Sequence, residues 1–144
     1  SYRFISVSFD PILLGFASGG DPFDDKPFML RTPGPGSAWE PYIVDTMNHY
    51  LTDISYLANT TYYVSGKKGS IYKTPDNGNY WFPLNTGTNE NLYSVCFIEE
   101  NMGFAAGDNG TIIKTISGDT TWTKLITSTT RNLYSLVFID DTEI

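Results

Sequence analysis

Apolar and β-branched residues occur along the whole chain in short stretches that Gly, Asn, Asp or Pro separate. No stretch shows a convincing helical period, and short apolar runs bounded by turn residues predict β-strands. Residues 41–50 are the only segment where we expect a helical turn. The pattern therefore predicts an all-β chain.

The strand pattern repeats. Residues 4–9, 52–57, 92–97 and 133–138 have similar sequences, and their last positions, 9, 57, 97 and 138, lie 48, 40 and 41 residues apart. A second element recurs at 15–19, 61–66 and 103–107, and a third recurs at 28–32, 70–74 and 111–115. Each unit closes on a tryptophan, namely Trp39, Trp81 or Trp122.

A unit of about 41 residues with four strands (A to D) predicts the blade of a β-propeller, because such a sheet buries both faces only between neighbouring copies. We expect four-stranded antiparallel blades at about 1–49, 50–88 and 89–129, and the first strand of a fourth at about 130–144. Propellers typically need 4 to 8 blades. We therefore expect one domain that is part of a larger ring of 6 to 8 blades, closed by further blades of the same chain or by another copy.

The turn between strands C and D of the second unit reads Thr-Pro-Asp-Asn-Gly-Asn-Tyr-Trp over residues 74–81, which matches the Asp-box, Ser/Thr-x-Asp-x-Gly-x-x-Trp/Phe. The carboxylate can accept backbone N–H groups of its own turn, and glycine can adopt a positive φ. The other two copies keep Thr and Trp but lose the Asp. We predict a structural role for the recurring positions: Thr32, Trp39, Thr74, Asp76, Gly78, Trp81, Thr115 and Trp122.

With these turns, the chain resembles the bacterial neuraminidase repeat (Asp-box) propellers. The sequence 103–115, Gly-Phe-Ala-Ala-Gly-Asp-Asn-Gly-Thr-Ile-Ile-Lys-Thr, is closest to the branch of photosystem II stability/assembly-factor-like proteins. The resemblance covers essentially the whole chain. It implies a propeller fold, whereas its members include glycan-active enzymes, receptors and assembly factors, so that the fold alone does not fix the activity.

The charge balance narrows the partners. Nine basic and 16 acidic side chains give a net charge of −7, which disfavours nucleic acid and anionic membrane surfaces. No apolar run approaches the roughly 20 residues that span a bilayer.

The only cysteine, Cys96, can form no internal disulfide, and its strand position predicts a buried small residue. The chain does not begin with Met, and we expect a mature form or a piece of a longer protein.

Candidate catalytic groups are sparse. The resemblance makes a sialidase the first enzyme to consider, and that family uses an arginine cluster. This chain has only Arg3, Arg31 and Arg131, and Arg31 occupies a repeat position that Lys73 and Lys114 fill elsewhere. The sole histidine, His49, could serve a zinc site or a triad, but a surface loop histidine is the simpler interpretation. We predict no catalytic residue, metal or cofactor.

Blade 1 is longer than the other blades at two places. One insertion covers residues 21–27 between strands B and C, and the other covers 40–50 between strand D and the next strand A. Both connections lie at the end of an antiparallel blade opposite the Asp-boxes. Because loops carry most binding sites, we hypothesise a binding surface there, although neutral variation in loop length would give the same pattern. Its candidate residues are Asp21, Asp24, Asp25, Lys26, His49 and Tyr50. The three aspartates could also bind Ca²⁺, but a solvated loop is the simpler interpretation.

The sequence thus favours a non-catalytic scaffold that binds protein, from a secreted or envelope protein located outside the cell, in the periplasm or on the cell surface. The alternative is a glycan-binding or sialidase-like propeller whose catalytic residues lie outside this segment. A role in photosystem assembly is a narrower third hypothesis, based only on the resemblance.

Overall fold

A computed structural model describes residues 1–139 and contains three sheets of four strands. Residues 140–144, the end of the predicted fourth-blade segment, lie outside the described residues. Blade 1 contains β1 (Arg3–Phe9), β2 (Gly15–Asp21), β3 (Lys26–Thr32) and β4 (Glu40–Tyr42). Blade 2 contains β5 (Leu51–Ala58), β6 (Thr61–Gly66), β7 (Ile71–Thr74) and β8 (Phe82–Pro83). Blade 3 contains β9 (Leu92–Glu99), β10 (Met102–Gly107), β11 (Ile112–Thr115) and β12 (Thr123–Lys124).

Each sheet is an antiparallel meander in which the strands pair in chain order. The predicted all-β propeller of four-stranded antiparallel blades is therefore confirmed. The only helical element among residues 1–139 is a single 3₁₀ turn at Asp108–Gly110. The helical turn expected within 41–50 does not form a helix; Met47 N instead donates to Val44 O in an isolated reverse turn.

The structure corrects the alignment of strand A in blade 2 by one residue. Tyr56 pairs with Tyr62 as Phe97 pairs with Gly103 and as Phe9 pairs with Gly15. The equivalent segment is therefore 51–56 rather than 52–57, and its last position lies 41 residues before Phe97. A shift of one residue exchanges the two faces of a strand, so the blade 2 equivalent of Cys96 is Ser55 and not Tyr56.

The core lies between the blades. One cluster joins blades 1 and 2 around Phe16, Tyr62 and Trp81, and a second joins blades 2 and 3 around Tyr63 and Phe97. The Tyr63 and Phe97 rings are stacked, with centroids 3.5 Å apart. Because each cluster draws side chains from two sheets, neighbouring blades stabilise one another, as in other repeat proteins.

The first insertion lengthens a hairpin rather than forming a loose loop. The pairing of β2 with β3 continues through Gly20 with Pro27 and Asp21 with Lys26, so only residues 22–25 form the turn. The second insertion runs from β4 to β5, and its side chains Val44 and Met47 pack into the core between blades 1 and 2.

Residues 133–138, predicted as the first strand of a fourth blade, lie along blade 3. Leu133 N donates to Gly107 O, Leu136 N donates to Ser94 Oγ, and the Tyr134 ring is 4.9 Å from that of Tyr93. No strand within residues 1–139 pairs with this segment, so it is not a sheet strand here. The same part of the chain contains no helix long and apolar enough to cross a membrane.

Candidate functional site

The Asp-box of blade 2 is a closed hydrogen-bonded turn. Asp76 Oδ1 accepts from Thr74 Oγ1 at 2.8 Å and from Tyr80 N at 2.9 Å, while Thr74 Oγ1 accepts from Gly78 N at 2.8 Å. Gly78 has a φ of +85°, a backbone conformation in which a residue with a side chain would be strained. The turn places Trp81, only 2% exposed, edge-on to the Phe16 ring of blade 1 at 5.9 Å. The polar groups of this turn therefore bond to one another.

The turn of blade 3 has the same hydrogen-bonded form as the Asp-box of blade 2 but uses different side chains. Ser117 Oγ accepts from Thr121 N at 3.2 Å, so a hydroxyl stands in for the carboxylate, and Thr115 Oγ1 accepts from Ser117 N at 3.2 Å. Asp119 faces blade 2 and accepts from Lys73 Nζ. Trp122 is half-buried, with its ring 5.8 Å from that of Phe97.

The turn of blade 1 is the most divergent. Gly34 supplies no side-chain acceptor, and Thr32 Oγ1 donates to Gly34 O at 3.2 Å and to Ser37 O at 3.3 Å. Trp39 is 39% exposed and contacts the Phe9 ring edge-on at 5.7 Å. Of the three recurring tryptophans, only Trp81 is fully enclosed.

The connections between strands lie at opposite ends of the blades, as an antiparallel meander requires. At one end the A–B turn meets the Asp-box, since Asn77 N donates to Thr60 O at 2.9 Å. At the other end the B–C loop meets the incoming strand A, since Lys67 N donates to Tyr50 O at 3.0 Å. The 22–25 turn and residues 49–50 belong to this second end.

The two insertions of blade 1 meet at Asp25. Its Oδ2 accepts from His49 Nδ1 at 2.9 Å, and its Oδ1 accepts from Tyr50 N at 3.0 Å. Lys68 Nζ and Lys67 Nζ lie 3.5 Å and 4.0 Å away. Partial burial opposes ionisation, but the hydrogen bonds of Tyr50 and His49 and the charges of His49 and Lys67 outweigh it and lower the pKa of Asp25. We call this group the Asp25 cluster.

The other candidate residues of the insertions divide into two groups. Asp21 Oδ1 accepts from Phe23 N at 3.0 Å and so holds the hairpin turn, and Tyr50 is buried with Lys67 Nζ 5.3 Å from its ring centroid. Burial raises the pKa of Tyr50. Asp24 and Lys26 point to solvent, 4.0 Å apart. Within residues 1–139 no three acidic, cysteine or histidine side chains gather as metal ligands.

Asp53 links the strand A segments of three blades, and no sequence pattern predicted this role. Its Oδ1 accepts from Ser6 Oγ of blade 1 at 2.8 Å, and its Oδ2 accepts from Ser94 Oγ and Val95 N of blade 3 at 3.1 and 3.0 Å. Ser6 and Ser94 occupy the same strand A position as Asp53, an equivalence that appears only in the corrected alignment of blade 2.

The residues considered for catalysis are in structural positions. Arg31 lies over the Phe16 ring at 5.8 Å, and each blade repeats this pair of a strand C cation and a strand B aromatic ring. The other pairs are Lys73 over Tyr63 at 5.6 Å and Lys114 over Phe104 at 5.4 Å. Cys96 is half-buried, and burial followed by the Asp53 charge raises its pKa, which disfavours the nucleophilic thiolate.

Comparison with known proteins agrees with the fold. A family model described as photosynthesis system II assembly factor YCF48 matches residues 28–116. The chain belongs to the YCF48 family. It is also similar to a solved structure of YCF48 from Cyanidioschyzon merolae, with 18% identity and a TM-score of 0.76 over 95% of this chain and 45% of that one.

A second solved structure, YCF48 bound to D1 peptide, is similar with 16% identity and a TM-score of 0.72 over 90% of this chain and 41% of that one. This chain therefore spans less than half the length of either solved YCF48. At such identities the likeness concerns the fold, and no curated protein matches the chain.

Proposed function

We propose that this chain is part of a non-catalytic β-propeller that binds a peptide segment of a partner protein during the assembly of a complex. Membership of the YCF48 family carries the proposal, because the family model covers residues 28–116 and so spans parts of all three blades. A relative with the same fold holds D1 peptide. The D1 peptide is therefore the first partner that we propose for this chain.

The placement of the polar side chains supports binding rather than catalysis. Arg31 is engaged in the repeated cation–aromatic pair, and the Asp-box residues bond within their own turns. His49 is held against Asp25, and the raised pKa of Cys96 disfavours a reactive thiolate. Nucleophilic catalysis needs a nucleophile and a base within hydrogen-bond reach around a substrate position. The described residues use these groups to hold loops and blades together.

The proposal is tested by titrating the full chain with D1 peptide and following the heat of binding, with a scrambled peptide of the same composition as the control. We expect saturable binding to the D1 peptide with a Kd of the order of micromolar, about −8 kcal/mol. No heat from either peptide would contradict a D1 partner. Turnover of a fluorogenic sialoside, or selective binding on a glycan array, would favour the glycan alternative.

Two further proposals concern the parent protein. Additional blades from the same chain or from another copy would close the ring, which a native mass measurement on the full-length protein tests. The extracellular, periplasmic or cell-surface location stays a prediction, which cell fractionation with an antibody to the protein tests.

A further inference from the structure

In blade 2, the connector that follows strand D is hydrogen-bonded to the glycine that precedes strand C. We call this arrangement the latch. Gly69, with a φ of +69°, donates its N–H to Glu90 O at 2.8 Å, and its own carbonyl accepts from Thr86 Oγ1 at 2.7 Å. A Cβ on Gly69 would lie 1.9 Å from Thr88 O. Only glycine therefore allows the connector that follows strand D to close against strand C.

Blade 3 repeats the latch. Gly110, with a φ of +66°, donates to Arg131 O at 2.8 Å and accepts from Thr127 Oγ1 at 2.8 Å. A Cβ on Gly110 would lie 1.9 Å from Thr129 O. Two of the three blades thus share one glycine, one threonine hydroxyl and the same backbone bond.

Blade 1 cannot form this latch. Gly69 and Gly110 stand four residues before Lys73 and Lys114, and the residue four positions before the equivalent Arg31 is Pro27. Proline has no N–H to donate, so the backbone hydrogen bond of the other two blades has no donor here. The connector after β4 leaves an open pocket of about 310 Å³ instead.

The lining of this blade 1 pocket is mainly apolar. It includes Phe28, Met29, Tyr42, Val44 and Met47, and the ring of Tyr2 stacks on that of Phe28 at 4.5 Å. The space between strand C and the following connector in blade 2 is lined by hydroxyl and amide side chains, among them Ser70, Asn85, Thr86 and Asn89. Phe28 stands at the position of Ser70. Blade 1 thus differs from blade 2 at two neighbouring repeat positions, where Pro27 and Phe28 stand in place of Gly69 and Ser70, and its space is unlatched and less polar.

The charges at the pocket are unbalanced toward acid. Lys26 and Asp45 line it, and Asp24, with 65% of its side chain exposed, lies 4.0 Å from Lys26 Nζ. Asp45 in the lining and Asp24 beside Lys26 thus give two carboxylates for one ammonium group, on a chain whose net charge is −7. Ile43, also part of the lining, is 82% exposed and extends the apolar surface beyond the mouth of the pocket.

We propose that the blade 1 pocket binds one bulky apolar side chain of an extended peptide, and that Asp24 and Asp45 favour a Lys or Arg beside that side chain. Peptide-binding domains commonly obtain specificity from such side-chain pockets. The volume is at the small end of ligand sites, roughly 300–1,000 Å³. The proposal rests on the proposed function, because it names the site and the peptide chemistry of a protein-binding propeller.

Methionine methyl groups provide the test. The chain has three methionines: Met29 and Met47 line the pocket, whereas Met102 begins β10 in blade 3. We would label the methyl groups with ¹³C and titrate the full chain with the capped peptide Ser-Lys-Leu-Lys-Ser. The signals of Met29 and Met47 should shift while that of Met102 does not. Replacing the central Leu by Ala should weaken binding about tenfold, and replacing both Lys by Glu should also weaken it.

Two matched variants locate the contact. Ile43 and Ile126 each stand four residues after the recurring tryptophan, in blades 1 and 3, and both are exposed. Ile43→Ser should weaken Leu-peptide binding several-fold, and Ile126→Ser should leave it unchanged. Phe28→Ser should weaken it about tenfold. A single cooperative urea transition with the midpoint of the unchanged chain would show that each variant is folded.

Several outcomes would contradict peptide binding by the pocket. These are methyl signals that stay unshifted at millimolar peptide, equal binding of the Leu and Ala peptides, and equal loss in the two isoleucine variants. Shifts of Met29 and Met47 that depend on protein concentration without peptide would assign the pocket to a second copy of the chain. If D1 peptide binds without moving Met29 or Met47, the pocket fails and the proposed function stands. If the Leu peptide binds and D1 peptide does not, the pocket stands and the D1 partner fails.

Discussion

Lys73 Nζ lies 2.9 Å from Asp119 Oδ2 and 3.0 Å from Asp119 Oδ1, which joins strand C of blade 2 to the turn of blade 3. Lys73 is buried, while the side chain of Asp119 is 35% exposed. Asp119 occupies the turn position where the Asp-box pattern has glycine. The departure of blade 3 from that pattern therefore supplies the partner of a buried ammonium group in the preceding blade.

We expect Asp119→Ala to lower the free energy of unfolding by about 2 kcal/mol, because the buried ammonium loses both charged hydrogen bonds. Urea unfolding followed by tryptophan fluorescence measures this. The double variant Lys73→Met with Asp119→Ala should recover at least half of the loss, since it leaves no unpaired charge. The control Asp24→Ala removes an exposed carboxylate and should cost less than about 0.5 kcal/mol. Equal losses in Asp119→Ala and Asp24→Ala would contradict the assigned role.

The Asp-box turns should differ in their contribution to stability. Asp76→Ala removes the acceptor of both Thr74 Oγ1 and Tyr80 N and should cost about 1–2 kcal/mol. Ser117→Ala should cost about 0.5 kcal/mol, because the hydrogen bonds of Ser117 with Thr120 and Thr121 are exposed to water. Asp76→Asn keeps an acceptor oxygen and should restore most of the loss in thermal unfolding. An Asn variant as unstable as the Ala variant would show that the charge of Asp76 matters rather than its hydrogen bonds.

The repeat could be predicted from the sequence because its spacing is carried by residues with strong local preferences, such as the turn at 74–81 and the tryptophans. The register of strand A in blade 2 could not. Segments 51–56 and 52–57 both contain enough apolar residues for a strand, and the bulge between Leu51 and Asp53 recurs at the equivalent place in blades 1 and 3, so it marks neither register. The pairing with β6 distinguishes the two registers.

The candidate site could be predicted in part. The meander placed both insertions of blade 1 near one another, and Asp25 does contact His49 and Tyr50. The bonds of Asp53 to two other blades depend on tertiary contacts that no local pattern reports. The latch had a signal that was overlooked: Thr-Gly-Thr at 86–88 and Thr-Ser-Thr at 127–129 recur 41 residues apart, opposite two equivalent glycines.

Trp81 and Trp39 should differ in their contribution to stability as they differ in burial, which their identical repeat positions did not predict. Trp81→Ala empties a site in the core between blades 1 and 2 and should cost about 3–5 kcal/mol. Trp39→Ala changes a partly exposed edge contact with Phe9 and should cost less than about 1 kcal/mol. Calorimetric unfolding of the two variants checks the order. Similar losses would mean that Trp39 is covered in the protein by a surface outside residues 1–139.

Stability should depend on pH through Asp25. Its pKa in the folded chain lies below the ordinary value, because the hydrogen bonds of Tyr50 and His49 outweigh partial burial. The stabilisation is therefore present above the unfolded-state pKa of roughly 3.9 and is lost as the pH falls through the folded-state pKa. Asp25→Asn should cost about 1 kcal/mol near pH 7 and progressively less as the pH falls below about 4. Urea unfolding at several pH values, with the exposed Asp24→Asn variant as the control, measures the difference. A cost that stays constant as the pH is lowered through this range would show that the Asp25 side chain stabilises the fold by packing rather than by its charge.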